Sequence, residues 1–213
     1  MSEQAHRQAI VDACRWMNAS GLNQGTSGNI SVRWHDDMLI TPSSTPYETM
    51  TAEMIATMPL ARGEDTWHGP IKPSSEWRFH QAILINRPEI GAIVHTHSGH
   101  ATALSMARKP IPPCHYMVAA FGGSDVRVAD YATFGTAELS DNALKALDGR
   151  TACLLANHGM IALGRDLEQA KWRAMELETL ARQYILALGA GGPVLLSEAE
   201  IRAAKAKFSG YGR

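Results

Sequence analysis

The chain switches repeatedly between a helical and a strand-like spacing of its apolar residues, and each switch marks an element. Over Glu3 to Met17, Ala9, Ile10, Ala13, Cys14 and Met17 recur at helical spacing. A Gly/Ser/Asn loop from Gly21 to Gly28 leads into Ile30–Trp34. After His35-Asp36-Asp37 the β-rich run Met38–Thr41 follows, which predicts a hairpin. Thr51 is placed to cap a short helix through Ala56, and Met58 to Leu60 adds an extended segment. After a loop over Arg62 to Lys72, Ser74 or Ser75 is placed to cap a helix reaching about Asn86, before Pro88. Ala92–His97 reads as a buried strand ending in polar residues, and Ser98 caps a helix from His100 to Met106. Thr136 to Leu147 carries an apolar stripe of Leu139, Ala143, Leu144 and Leu147. Ala152–Ala156 is a continuous apolar run suited to a central strand, and Asn157-His158-Gly159 turns the chain into a further strand from Met160 to Leu163. Asp166 caps the longest helix, Leu167 to Leu188, and Ser197 opens a last short one.

Strands interleaved with helices over 213 residues predict one α/β domain spanning 1–213, with Gly189 to Pro193 as an internal loop rather than a linker. Charge narrows the partners. Formal net charge is −1 and the basic residues are scattered, so neither nucleic acid nor an anionic membrane is an expected partner. The N-terminus has no signal-like run, and no apolar stretch approaches the ~20 residues of a membrane span. Cys14, Cys114 and Cys153 are odd in number and widely spaced, which fits neither a disulfide framework nor a thiolate metal site. A soluble cytoplasmic protein is expected.

The chemistry concentrates in histidine. His95 and His97 stand at i and i+2 at the end of a predicted strand, so both imidazoles point to one face and can share an ion. His158 follows the second buried strand at its carboxyl end, where α/β sheets collect functional groups. Spacing alone does not separate His158 from His80 on a helix face, His100 at a helix start or His115 in a loop.

Four segments carry a resemblance: Thr26-Ser27-Gly28-Asn29, Pro73-Ser74-Ser75-Glu76-Trp77-Arg78-Phe79-His80, His95-Thr96-His97 and Asn157-His158-Gly159. His115-Tyr116-Met117, Tyr131 through Thr136 and Lys207 through Gly212 extend it along nearly the whole chain. Together they resemble the class II aldolase/adducin family, in particular its L-fuculose-1-phosphate aldolase branch. The resemblance implies a single domain with a central, mainly antiparallel sheet flanked by helices. It implies a divalent ion (zinc first, with manganese, cobalt or iron as alternatives) held by His95, His97, His158 and Glu76. The implied reaction is reversible cleavage of a deoxyketose 1-phosphate to dihydroxyacetone phosphate and an aldehyde, with the ion stabilising the enediolate.

By the same resemblance Glu76 shuttles a proton at the enediolate carbon, and Tyr116 of a neighbouring subunit serves the hydroxyl of the breaking bond. Gly28, Asn29, Ser43, Ser44, Ser74 and Ser75 form a phosphate cradle without a cation. Phe134 and Tyr211 wall the aldehyde end, and a four-fold homotetramer shares its sites between subunits. The chain departs from that branch at Ser43-Ser44, where the branch has Thr-Gly: backbone approach is restricted and a hydroxyl is added. Competing activities on this fold are a ribulose-phosphate 4-epimerase and a methylthioribulose-1-phosphate dehydratase, with a non-enzymatic adducin-like scaffold disfavoured by the complete ligand set.

Overall fold

The computed structural model of the chain describes residues 2–61 and 65–208. In order it contains α1 (Glu3–Ala19), β1 (Asn29–Trp34), β2 (Asp37–Ile40), β3 (Ala56–Pro59), α2 (Trp77–Asn86), β4 (Ala92–Thr96) and α3 (Gly99–Met106). There follow β5 (Val128–Ala129), α4 (Ala137–Ala146), β6 (Ala152–Leu155), β7 (Gly159–Gly164), α5 (Leu167–Gly189) and α6 (Glu198–Phe208). The strands form one seven-stranded sheet in the order β3-β2-β1-β4-β7-β6-β5. Every neighbouring pair is antiparallel except β5 with β6.

Strand alternation sorts the apolar residues into two cores. Ile30, Val32, Val94, Leu154 and Met160 point to the side of α1, α3 and α5. Ile93, Cys153, Leu155 and Ile161 point to the opposite side, against Phe79, Ile83 and Leu84 of α2 and Leu139 and Ala143 of α4. A sheet covered on both faces explains why β4, β6 and β7 are buried at every position and read as unbroken apolar runs.

Two predicted helix starts hold: Asp166 accepts from the Gln169 N–H and Ser197 from the Glu200 N–H, at 2.8 and 3.3 Å. Others differ. The helix expected after Thr51 is a single 3-10 turn, Ala52–Met54, with no side-chain bond from Thr51. Its remaining residues enter β3, because Ala56 and Met58 can bury against the second core. A 3-10 segment at Tyr116–Phe121 and the two-residue β5 were not foreseen; both are too short to show a period. Among the described residues no helix is long and apolar enough to cross a membrane.

Candidate metal centre

Three elements bring the histidines together. His95 lies near the end of β4, fully buried on the α2 side of the sheet. His97 falls just beyond the last strand residue, Thr96, rather than inside the strand as its spacing suggests; its ring still lies 5.0 Å from that of His95. His158 comes from the β6–β7 turn, where Asn157 takes a left-handed φ of 55°, tolerated by asparagine better than by most residues. The His158 ring is 4.9 Å from each of the other two. One ligand atom from each histidine lies within 4.8 Å of the others. Gly159 makes this approach possible: a Cβ there would sit 2.5 Å from the Thr96 carbonyl oxygen and 2.8 Å from the His97 ring.

Glu76 occupies the N-cap position of α2 but makes no side-chain capping bond. The predicted caps, Ser74 and Ser75, do not take that position. Instead Ser74 Oγ accepts from the Glu76 N–H at 3.3 Å, and the Glu76 carboxylate turns toward the histidines. Its Oε2 is 3.2 Å from His95 Nε2 and its Oε1 3.1 Å from His158 Nε2.

The donor chemistry fits a cation. His95 Nδ1 is 2.9 Å from the Met160 carbonyl, which can only accept, so Nδ1 carries the ring proton and the neutral ring offers a lone pair at Nε2. Nε2 of His95, Nε2 of His97 and Oε1 of Glu76 are all buried without an aligned hydrogen bond. The short Glu76–imidazole contacts are therefore Coulombic rather than directed. A carboxylate oxygen facing an imidazole lone pair is repulsive unless positive charge joins them, as a proton or as a metal ion. Three imidazoles and a carboxylate are a donor set for a divalent ion.

Burial alone would raise the Glu76 carboxyl, but where a proton supplies the positive charge that joins it to His95, that charge and the contacts to His158 and His95 prevail and hold it far below the usual carboxylate range. Burial, aided by His95 and His158, lowers His97 to about 4. His80, fully enclosed under α2, is lowered by burial to about 3. Both rings are neutral, and His97 is ready to ligate, at neutral pH. The consequence for stability has a definite sign. An unfolded histidine takes up a proton near pH 6.5, while these two do so only near pH 3 to 4, so acid favours the unfolded chain. The unfolding free energy of ion-free protein is expected to fall from pH 6.5 to 4, with a limiting slope of about 2.7 kcal/mol per pH unit for two such groups, and the thermal midpoint to fall with it. A midpoint flat across that window would show that these rings are not buried neutral.

Beside the cluster opens a cavity of about 340 Å³. Glu76, His97 and His158 line one part of it; Gly28, Asn29, Ser43, Ser44, Ser74 and Ser75 line another, with Phe134 at the rim. His95 lies behind them, fully buried. Gly28 admits no side chain, since a Cβ would sit 2.8 Å from both the His95 carbonyl oxygen and Asn23 Oδ1, and Tyr47 donates its hydroxyl to the Gly28 carbonyl. The N–H groups of Ser43 and Ser74 already donate to the Lys72 and Thr41 carbonyls, so these two serines bring hydroxyls, not backbone donors. Ser44 has a left-handed φ of 52°.

Two expected residues lie elsewhere. Tyr116 is half exposed and opens on a separate hollow with His115, Trp172 and Phe208, away from this cavity. Tyr211 lies outside the described residues. Conversely, Thr26, Ser27, Tyr131 and Asn157 also line the cavity. They stood within the recognised motifs but offered no chemistry distinctive enough to select them. His100, a possible helix-start residue, donates its backbone N–H to Glu178, and its Nδ1 is 2.7 Å from the same carboxylate.

A sheet of this order, with imidazoles at the ends of neighbouring central strands and a helix-start carboxylate converging beside a hydroxyl-lined cavity, fits an α/β enzyme that uses a divalent metal. The chain belongs to the family described as Class II Aldolase and Adducin N-terminal domain, whose model matches residues 8–185. It is 50% identical over 208 residues to the 5-methylthioribulose-1-phosphate/5-deoxyribulose-1-phosphate aldolase of Rhodospirillum rubrum, covering 98% of this chain and 93% of that one. It is 48% identical over 204 residues to the L-fuculose phosphate aldolase of Escherichia coli O6:H1, covering 95% and 94%. Its fold superposes on a solved L-fuculose 1-phosphate aldolase with a TM-score of 0.91, at 39% identity and 95% coverage of both chains. The protein is a lyase of the aldolase type.

Proposed function

We propose that this protein cleaves a deoxyketose 1-phosphate reversibly into dihydroxyacetone phosphate and an aldehyde, the ketose being L-fuculose 1-phosphate or a 5-deoxy- or 5-methylthiopentulose 1-phosphate. The observation that carries the proposal is one cavity lined by both the Glu76–His97–His158 group and the serine-rich loops. His95, His97, His158 and Glu76 would hold the ion, for which zinc suits three imidazoles and a carboxylate. When bound it supplies Lewis acidity to the substrate's carbonyl end.

The chain's own groups do the rest. Gly28, Asn29, Ser43, Ser44, Ser74 and Ser75 bind the phosphate through hydroxyls and remaining N–H groups. With the phosphate anchored there, the reacting carbons extend toward Glu76. Loss of the proton from the C4 hydroxyl lets the C3–C4 bond break: its electron pair stays on C3 and C4 becomes the aldehyde. Glu76, ionised at rest, takes up a proton from water and delivers it to C3, releasing dihydroxyacetone phosphate, while the C4 hydroxyl proton passes to water by way of Tyr116, so the two transfers cancel. Tyr116 takes the hydroxyl proton. It opens away from its own subunit's cavity, which supports action in a neighbour's site, and the four-fold homotetramer is the assembly that the family resemblance implies. Mixing Tyr116→Phe with Glu76→Gln subunits is then expected to restore part of the turnover that each lacks alone, and no recovery after subunit exchange would place Tyr116 in its own site. By the family resemblance, Phe134 and Tyr211 are assigned to the aldehyde end. Three free cysteines, two of them buried, agree with a cytoplasmic setting.

Ser44 offers a further check. A non-glycine residue in the left-handed region is strained, so Ser44→Gly is expected to raise stability by about 0.5–1 kcal/mol while lowering affinity for inorganic phosphate severalfold through the lost hydroxyl. Unchanged phosphate affinity would remove Ser44 from the cradle. The activity itself is tested with a panel of 1-phosphoketoses, by coupled detection of dihydroxyacetone phosphate and identification of the aldehyde. Release of no dihydroxyacetone phosphate from any member would overturn the aldolase reading, and conversion to an epimer or a dehydrated product would replace it.

A further inference from the structure

Beneath the cluster, Glu76 and Asn29 of the site continue into a closed row of polar side chains through His80 and Ser31, two residues that neither binding nor proton transfer uses. Asn29 and Ser31 are two residues apart on β1 and face α2. Glu76 and His80 are four apart, one helical turn, and face β1. The two spacings match, and the side chains interlock. Asn29 Nδ2 donates to Glu76 Oε2 at 2.8 Å, His80 Nε2 meets Asn29 Oδ1 at 2.6 Å, and Ser31 Oγ meets His80 Nδ1 at 2.7 Å. Ser31 and His80 are wholly buried, and Asn29 and Glu76 nearly so.

The direction of every bond follows from the charged end. An ionised carboxylate only accepts, so Asn29 must present its NH2 group to Glu76 and turn its oxygen toward His80. Nε2 of His80 must then carry the ring proton. That leaves Nδ1 bare, and it accepts from the Ser31 hydroxyl. All three bonds point toward Glu76, and reversing any one would set two acceptors or two donors against each other in a dry interior.

We propose that Ser31 and His80 are positioning residues that act through Asn29 to select the working oxygen of Glu76. The row pins Oε2. It leaves Oε1, which is buried and has no aligned hydrogen bond, as the oxygen available to the ion and to the substrate carbon. Without the His80 N–H, the Asn29 amide loses the partner that fixes its orientation. Its oxygen can then turn toward Glu76 Oε2, and the carboxylate swings off the histidines. The catalytic consequence rests on the aldolase reading; the consequence for ion binding does not.

The test compares His80→Phe, which keeps the ring stack on Phe79 but removes both nitrogens, with His80→Gln, which keeps a donor for Asn29 and an acceptor for Ser31. Zinc affinity is measured by competition with a chromophoric chelator on protein shown by circular dichroism to be folded, and kcat and KM are measured separately. Expected for His80→Phe is a loss of about 10–100-fold in zinc affinity, kcat or both, with KM little changed and His80→Gln recovering most of the loss. Ser31→Ala, which removes one hydroxyl without adding volume, should shift the same quantities in the same direction by less, and it carries the test where the phenylalanine variant fails to fold. Native zinc affinity and kcat in folded His80→Phe or Ser31→Ala would overturn the proposal, as would equal impairment of the Phe and Gln variants, the mark of packing alone. A wild-type protein inactive on every ketose phosphate would overturn the aldolase reading and leave the zinc comparison intact.

Discussion

Replacing His97 by alanine is expected to strip the protein of its divalent ion and to lower turnover by roughly a thousandfold or more. Lewis-acid stabilisation by a bound metal is worth several kcal/mol, and each ~1.4 kcal/mol is tenfold in rate. His97 is the ligand whose removal does this with least collateral damage. His95 is fully buried and bonded to the Met160 carbonyl, and His158 sits on a strained turn, so truncating either also disturbs the sheet. His97 lies beyond the strand end and lines the open cavity. Its Nε2 has no aligned hydrogen bond to lose. Elemental analysis of purified protein checks the outcome, and one equivalent of ion retained in His97→Ala would place the metal elsewhere. Removing the ion from wild-type protein with a chelator should reproduce the loss of turnover, and zinc should restore it.

Glu76→Gln is expected to abolish useful turnover, by about 10²–10⁴-fold, while leaving ketose phosphate binding nearly intact. Glutamine keeps the size of the side chain and an oxygen able to face the ion, but its amide cannot take up and return a proton. The carboxylate it replaces is held ionised by its histidine neighbours, so it can take up a proton and pass it to the enediolate carbon. Direct titration with the ketose phosphate, beside metal content and kcat, separates the roles. Near-normal kcat would refute proton transfer by Glu76. Lost metal with lost turnover would make it chiefly a ligand.

The family's activity and the local chemistry meet at Ser43-Ser44. Serine at φ 52° indicates that the turn which a glycine would adopt freely is kept here despite the side chain. The hydroxyl it brings lines the same cavity as Ser74 and Ser75. Tyr131 and Phe134 of the cavity lining are more than half exposed, and Phe134 is the residue we propose for the aldehyde end. Hydrophobic pockets separate substrates that differ by one methylene by only ~1–3 kcal/mol, so activity on more than one deoxyketose phosphate is expected.

Much of this was legible along the chain, for a physical reason. Apolar period is a local property, so the long α5, the strands β4, β6 and β7 and the hairpin of β1 and β2 could be placed from sequence, and with them the His95–His97 pair. The resemblance to the class II aldolase family named His158, Glu76 and the serine loops. Spacing could not have done so, because their convergence depends on which strands are neighbours. β1, β4 and β7 lie side by side, although more than fifty residues separate each from the next in sequence. That order, chosen by burial of both sheet faces, brings the Asn157–Gly159 turn beside His97. It also sets α2 against β1, so that Glu76 leaves its capping role and His80, an ordinary histidine on a helix face by its spacing, becomes the donor to Asn29. Sequence determined the elements and the chemical types available. The tertiary structure decided which groups share an environment without water, and there every hydrogen bond must find its partner and every lone pair its cation.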